Sequence, residues 1–319
     1  MNKTSGEWTI RMGNVFYFPW EVSLIEWLQK TLEGAGTKAA EVLSAIGDTT
    51  ATLLIVMVLV FCYSKEAGKR CGYTMMTAGI WFPMIKNIAL RVRPYMAHSE
   101  TIRAISLPQP DQDPMDILSQ GFSFPSGHSA MAASLYCATA REVKKRWMWF
   151  LAFAMIILIG VSRFIVGVHY PTDVLAGWTV GFLAVAFLSF LRKKVQSETI
   201  RSLILLGMAL PGIFWCSSHD YFAALGGLIG MTIVFPYEKK HVNFRDTRSL
   251  PVMILRVVGA MIVYLVLDKL LKLPFSREWM NGTTLGANLF RTARYAVTLF
   301  VLFGIYPYSF PLMDRLEKK

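Results

Sequence analysis

The chain has 319 residues, of which 54% are hydrophobic and only 17% are charged. Soluble domains average about 45–50% apolar and about 25% charged residues, so this composition excludes an ordinary soluble domain and indicates a polytopic membrane protein. The net charge of +12 does not indicate nucleic-acid binding, because Lys and Arg stand in short runs between apolar blocks and form no continuous basic face.

The apolar blocks predict an all-α bundle of about nine membrane helices, since about 20 residues cross a bilayer as a helix. The candidate spans lie near residues 42–63, 69–90, 127–142, 147–166, 171–191, 200–216, 221–236, 251–272 and 287–306. Before the first span, residues 16–32 mix aromatic and aliphatic side chains with glutamates. The sequence therefore predicts an amphipathic helix that lies at the membrane interface there.

We divide the chain into three parts: an external N-terminal segment (1–39), a catalytic membrane core (40–192) and four additional membrane helices of unknown role (193–319). Alternate connections between nine spans lie on opposite sides of the membrane. The set formed by 64–68, 143–146, 192–199, 237–250 and 307–319, with flanking residues, holds twice as many Lys and Arg residues as the other set. The positive-inside rule thus predicts an external N-terminus and a cytoplasmic C-terminus.

Three polar clusters fall on the external side of this topology. They are Lys86-x6-Arg93-Pro94, then Pro125-Ser126-Gly127-His128, then Ser162-Arg163-x5-His169-x3-Asp173. The charge count that set the topology did not use these clusters as such, so their agreement is informative. Arg91 is set aside, because the six-residue spacing selects Arg93.

Together the clusters have the chemistry for phosphoryl transfer. Lys86, Arg93 and Arg163 supply cations for phosphate oxygens, and Ser126 and Gly127 stand at a helix start, where backbone N–H groups favour an anion. One histidine can attack phosphorus while the other protonates the departing alkoxide.

Asp173 lies four residues after His169, within reach of its ring, where a carboxylate can fix the tautomer. We therefore assign His169 as the nucleophile and His128 as the general acid. Asp48 stands near the external end of the first span, where its carboxylate could bond the cationic cage formed by Lys86, Arg93 and Arg163, but its side chain is expected instead to cap a helix at the Gly47-Asp48 turn.

The three clusters resemble the signature of the type-2 phosphatidic acid phosphatase superfamily over about residues 40–192, with the usual proline after the second histidine present as Pro171. That family includes membrane lipid phosphate phosphatases, glucose-6-phosphatase and vanadium haloperoxidases. The resemblance implies the same roles as the chemistry above.

The sequence thus predicts an integral-membrane lipid phosphate phosphatase with an external site, a phosphohistidine intermediate, and neither metal nor cofactor. Three aspartates at 111, 113 and 116 lack the spacing of a calcium loop. A sugar-phosphate phosphatase or a lipid phosphotransferase would use the same residues, and a transporter or lipid-binding protein is the non-enzymatic alternative. The released alcohol, the oligomeric state and the membrane stay open.

Overall fold

The computed structural model describes residues 13–315. Within that range the secondary structure is helical, apart from an isolated bridge between Asn14 and Arg91, so the all-α prediction is confirmed. The N-terminal and core helices are α1 (Pro19–Thr31), α2 (Ala35–Ile46), α3 (Thr49–Val58, continued by a π-turn), α4 (Lys65–Ala89), α5 (Pro94–Ala97), α6 (Ile117–Gln120), α7 (Gly127–Val143), α8 (Arg146–Ile165) and α9 (Pro171–Lys194). The remaining helices are α10 (Glu198–Ala209), α11 (His219–His241), α12 (Leu250–Lys272), α13 (Arg277–Asn281), α14 (Leu285–Phe300, continued by a π-turn) and α15 (Phe310–Met313).

The number of membrane-spanning helices differs from the prediction. Helices occur at all nine predicted positions, but in the described range only five are long and apolar enough to cross a bilayer; α2 and α3, bent by 54° against each other, make six if they form one broken span. The helices α7 and α10 have 17 and 12 residues, and α4 carries glycine, threonine and lysine on its buried side. Nine spans are therefore not confirmed.

Helix α1 forms where the amphipathic segment was predicted. Its buried face repeats every four residues through Glu21, Ile25 and Gln29, and Gln29 Nε2 donates to the carbonyl of Ile165 at 2.9 Å. This face packs on the end of α8 with two polar side chains fully buried, so they need partners inside the protein. Its position at a membrane interface stays a prediction.

Small residues bring α7 and α9 close together at the end where the polar clusters lie. A Cβ on Gly177 would lie 2.4 Å from the carbonyl oxygen of Ser126, and one on Gly181 would lie 2.6 Å from that of Ala130. This close approach, typical of small residues spaced four apart, lets the backbone N–H of Ser126 donate to the carbonyl of Asp173 at 2.9 Å. The starts of the two helices are thereby fixed side by side.

The C-terminal helices pack directly on the core. Helix α11 contacts both α4 and α14, and a Cβ on Gly226 would lie 2.2 Å from the carbonyl oxygen of Thr292. Nearby, an added Cβ on Gly79 of α4 would meet Ala224 of α11 at 3.2 Å. Residues beyond 200 are therefore part of the same packed bundle as the site.

Candidate functional site

One cavity of about 460 Å³ collects six of the predicted site residues. They are Lys86 at the end of α4, Arg93 before α5, Gly127 and His128 at the start of α7, Arg163 at the end of α8, and His169 in the connection to α9. The structure thus brings all three sequence clusters together at one end of the bundle.

The three cations of the cavity are buried and have no carboxylate partner within residues 13–315. Arg93 donates to backbone carbonyls from all three of its guanidinium nitrogens, and its Nη1 also contacts the His169 ring. Arg163 donates to the hydroxyl of Ser44, and the Lys86 ammonium lies 5.2 Å from the ring centre of Phe82. Buried cations are unfavourable unless something compensates them, so this cage is suited to an anion.

His169 is held at the edge of the cage by a turn that needs glycine. Gly167 has φ +82°, and a Cβ there would lie 2.2 Å from the carbonyl oxygen of Arg103. The ring nitrogen Nε2 of His169 lies 3.5 Å from Arg93 Nη1. Burial, together with the neighbouring charges of Arg93, Arg163 and Lys86, lowers the pKa of His169 well below its ordinary value. The imidazole is therefore neutral, as a nitrogen nucleophile must be.

Asp173 lies behind His169 and outside the cavity lining. Its Oδ2 is 3.5 Å from His169 Nδ1, longer than an ordinary hydrogen bond. That oxygen already accepts from the hydroxyl of Ser123 and from the backbone N–H of Tyr170 at 2.7 Å. A ring movement of about 0.5 Å would bring Nδ1 within hydrogen-bond distance.

Arg91 connects Asp173 to helix α1. The sequence alone did not predict this connection. Arg91 Nη1 lies 2.5 Å from Asp173 Oδ1 and its Nη2 lies 2.9 Å from Glu21 Oε2, and the guanidinium stacks 3.9 Å from the ring centre of Tyr170. The three charged side chains are at most 1% exposed. Arg91 does not line the cavity, but setting it aside overlooked the residue that holds Asp173. The sequence signal for such a buried partner is the position of Glu21, which shares the buried face of α1 with Ile25 and Gln29 at a spacing of four residues.

Asp48 contacts His128 and does not cap a helix. It precedes α3 but makes no side-chain capping bond there; its Oδ1 lies instead 2.7 Å from His128 Nε2. The expected capping role was therefore wrong. A carboxylate at this distance orients the ring. Burial and the nearby charge of Arg163 lower the pKa of His128 to about 4, and Asp48 only partly opposes this lowering.

Ser126 is fully buried, and its hydroxyl caps the N-terminus of α7. Its Oγ accepts from the backbone N–H of Ser129 at 3.4 Å and from the Ser129 hydroxyl at 2.9 Å. Of the predicted phosphate-binding residues, this is the one whose side chain is not on the cavity wall. Its effect on the site is to fix the start of the helix that carries Gly127 and His128.

Within residues 13–315, no group of three or more His, Cys, Asp or Glu side chains is arranged to hold a metal ion. The aspartates at 111, 113 and 116 thus form no such group.

Two family models match the chain: the PAP2 superfamily over residues 67–197 and the PAP2 superfamily phosphatase transmembrane extension over residues 222–319. Among curated proteins, the undecaprenyl-diphosphatase of Sulfolobus acidocaldarius is 28% identical over 141 residues, which are 44% of this chain and 61% of that protein. The phosphatidylglycerophosphatase B of Bacillus subtilis is 33% identical over 97 residues, 28% of this chain and 47% of its own length.

The lipid A 1-phosphatase of Rhizobium johnstonii is 30% identical over 119 residues, covering 37% of this chain and 45% of that protein. The chain thus spans about half the length of the curated relatives it matches. No solved structure matches it significantly. The two family models lie on the helices that build the cavity and on those that pack against them, and the chain is an integral membrane protein that belongs to the PAP2 superfamily.

Proposed function

We propose that the protein is a membrane phosphatase that hydrolyses a lipid phosphate monoester through a phosphohistidine on His169, without a metal ion. The observation that carries this proposal is the cavity in which three buried cations, without carboxylate partners among the described residues, line the same space as two histidines. Each histidine has a carboxylate of its own, Asp173 or Asp48. A binding protein or transporter needs the cations but not these two pairs.

The reaction has two steps. In the first, Nε2 of His169 attacks phosphorus, the bond from phosphorus to the ester oxygen breaks, and His128 gives its proton to the departing alkoxide. In the second, His128 takes a proton from water, the resulting hydroxide attacks phosphorus, and the bond from phosphorus to Nε2 breaks. Lys86, Arg93 and Arg163 stabilise the charge on the phosphoryl oxygens throughout.

The depth of the cavity favours a lipid over a sugar phosphate. Its wall follows α4 from Lys86 to Met75, which is eleven residues or about 16 Å of helix. The deep part is lined by apolar side chains such as Leu53, Met76 and Met131. A hydrocarbon chain next to the phosphate can occupy this part, whereas a sugar would leave it empty. The relatives named above are named for lipid-linked phosphates, which agrees with this choice.

The function is tested by phosphate release from the purified protein in detergent. We expect kcat/KM to rise with chain length across alkyl phosphates from butyl to hexadecyl, because each added methylene buries apolar surface worth about 0.8 kcal/mol. Glucose 6-phosphate should be a poor substrate, and His169→Ala provides the blank. A kcat/KM that does not change with alkyl chain length would contradict a lipid substrate. Transfer of phosphate to an added alcohol in preference to water would favour the phosphotransferase.

The proposal includes no catalytic metal, because the cage already supplies three positive charges. Activity is expected to persist in excess EDTA and to gain less than twofold from magnesium. The matched control is a magnesium-dependent phosphatase under the same conditions. Complete loss of phosphate release in EDTA, restored by a divalent ion, would exclude the metal-free reaction.

We further propose that the cavity opens on the external side of the membrane. Cysteine introduced at Ser99 or Ser276, both exposed, should react with a membrane-impermeant maleimide in intact cells, while cysteine at exposed Lys240 should react only after permeabilisation. The starting protein should have its four native cysteines replaced. The reverse labelling pattern would invert the topology. The Lys and Arg residues whose distribution predicts this orientation include Lys3, Arg11, Lys318 and Lys319, which lie outside the described residues.

A further inference from the structure

The C-terminal helices contribute one wall of the cavity that holds the cage. Helix α11 supplies Asp220, α12 supplies Tyr264, and α14 supplies Tyr295 and Thr298. The opposite walls belong to the core and carry the histidines and cations. The cavity therefore lies between the part of the chain that carries the phosphate chemistry and the part matched by the transmembrane-extension model.

This wall is fixed by close helix packing. The small residues of α11 bring its backbone against α4 and α14, as shown by Gly226 against Thr292 and by Gly230, whose added Cβ would lie 2.9 Å from the carbonyl oxygen of Ala296. Side chains on such a wall are held at a defined distance from the cage. The wall is therefore suited to recognising a ligand bound in the cage.

Asp220 is the unusual member of this wall. It lines the same cavity as Lys86, Arg93 and His128, and its negative charge acts on all three groups. It is exposed, and within residues 13–315 no side chain forms an ion pair with it at 4.0 Å or less. A carboxylate here repels a phosphate dianion and would repel a second phosphate more strongly.

Such a carboxylate is useful when the substrate brings a hydrogen-bond donor. A hydroxyl or an ammonium group beside the ester oxygen could bond to Asp220 while the phosphate occupies the cage. The phenol groups of Tyr264 and Tyr295 lie on the same wall and add hydrogen-bonding capacity there. The arrangement offers positive charge to the phosphate and negative charge to the leaving alcohol, which is complementary to a polar lipid headgroup.

We propose that the C-terminal helices form the leaving-group side of the site and that Asp220 selects phosphate monoesters whose alcohol carries a hydroxyl or ammonium donor near the phosphate. Asp220 also disfavours diphosphates. The inference rests on the proposed phosphatase function, and it assigns the extension a specificity role within the same cavity.

The experiment compares wild type and Asp220→Asn on four probes: hexadecyl phosphate without a donor, a hexadecanoyl lysophosphatidate with a hydroxyl, sphinganine phosphate with an ammonium group, and farnesyl diphosphate. For wild type, we expect kcat/KM to be highest on the two donor-bearing probes. Asp220→Asn should lower kcat/KM about 10–100-fold on sphinganine phosphate, as expected for loss of a charged hydrogen bond. The loss should be smaller on lysophosphatidate, because an amide oxygen still accepts from a hydroxyl.

On hexadecyl phosphate, Asp220→Asn should be at least as active as wild type, because no donor contact is lost and a carboxylate that repels the phosphate is removed; this activity also shows that the variant is folded. On farnesyl diphosphate the gain over wild type should be larger. Glu278→Gln is the matched control, because Glu278 is an exposed carboxylate on α13 outside the cavity; it should leave all four values unchanged. An equal change on all four probes, including complete inactivity, would overturn the role of Asp220. A wild-type protein that releases phosphate from none of them would overturn the proposed function itself.

Discussion

His169→Ala is expected to release no phosphate from any ester, whereas His128→Ala is expected to lose activity in proportion to how poor the leaving group is. The reason is that, in the proposed mechanism, only His169 forms a bond to phosphorus, while His128 supplies a proton that a stable leaving group does not need. General acid catalysis contributes about 10²–10⁴-fold. His128→Ala should therefore be slowed by about that factor on an alkyl phosphate and by less than tenfold on p-nitrophenyl phosphate. The two histidines are thus separable by one change of substrate.

The measurement is a pair of kcat/KM values for each variant, together with trapping of acid-labile phosphate on the protein. His169→Ala should trap none. Asp173→Asn should fall between the two histidine variants, because the amide keeps the ring in place but no longer favours the imidazolium. His219→Ala is the matched control, since that histidine lies outside the cavity lining with its Nε2 3.0 Å from the carbonyl oxygen of Asn281. Equal losses on both substrates for His128→Ala would mean that it binds phosphate and is not the acid.

The sequence predicted the positions of the helices well because each one coincides with a largely apolar block of the chain. It overestimated how many satisfy the requirements of a membrane span, because α4 and α7 face the site and neighbouring helices with small and polar residues. Hydropathy measures average polarity, but these helices are covered by protein on much of their surface. Their burial depends on tertiary packing, which a window along the chain does not contain.

The residues of the candidate site also differ in how far the sequence could predict them. Residues whose spacing within one segment has a chemical meaning, such as His169 and Asp173, could be found from the sequence. Contacts between distant segments could not: Arg91 lies 70 positions from Glu21 and 82 from Asp173. The sequence also gave no sign that Tyr264 or Tyr295 would line the cavity, because both stand in helices without any recognisable motif.

The contact between Asp48 and His128 is an intermediate case. Topology placed Asp48 at the external end of the first predicted span, close to the cage. The local pattern, an aspartate just before a helix, favoured capping. In the structure, the Asp48 carboxylate contacts His128 Nε2 at 2.7 Å. It does not cap α3, whose N-terminus has no side-chain capping hydrogen bond.

The Arg91→Lys variant is expected to lower kcat by about 100-fold with little change in KM. Arg91 holds two buried carboxylates with separate guanidinium nitrogens, and a single ammonium cannot reproduce that fork. Asp173 would shift, and a displacement of about 1 Å at a reacting group can cost about 10²-fold in rate. The phosphate cage does not include Arg91, so phosphate binding should persist. Arg103→Lys is the matched control, because Arg103 pairs with Glu33 at 3.0 Å with both side chains more than 60% exposed, and such pairs contribute about 0–1 kcal/mol.

A double-mutant cycle distinguishes positioning of His169 from a general loss of stability. Arg91→Lys and Asp173→Asn should be strongly non-additive in kcat, because both act through the orientation of the same ring. Arg91→Lys and His128→Ala should be close to additive, because the acid lies on another helix with its own carboxylate. Inhibition by vanadate measures oxyanion binding in the cage, and it should be preserved in Arg91→Lys. Additivity with Asp173→Asn, or a loss of vanadate binding that parallels the loss of kcat, would mean that Arg91 supports the fold and does not position the nucleophile.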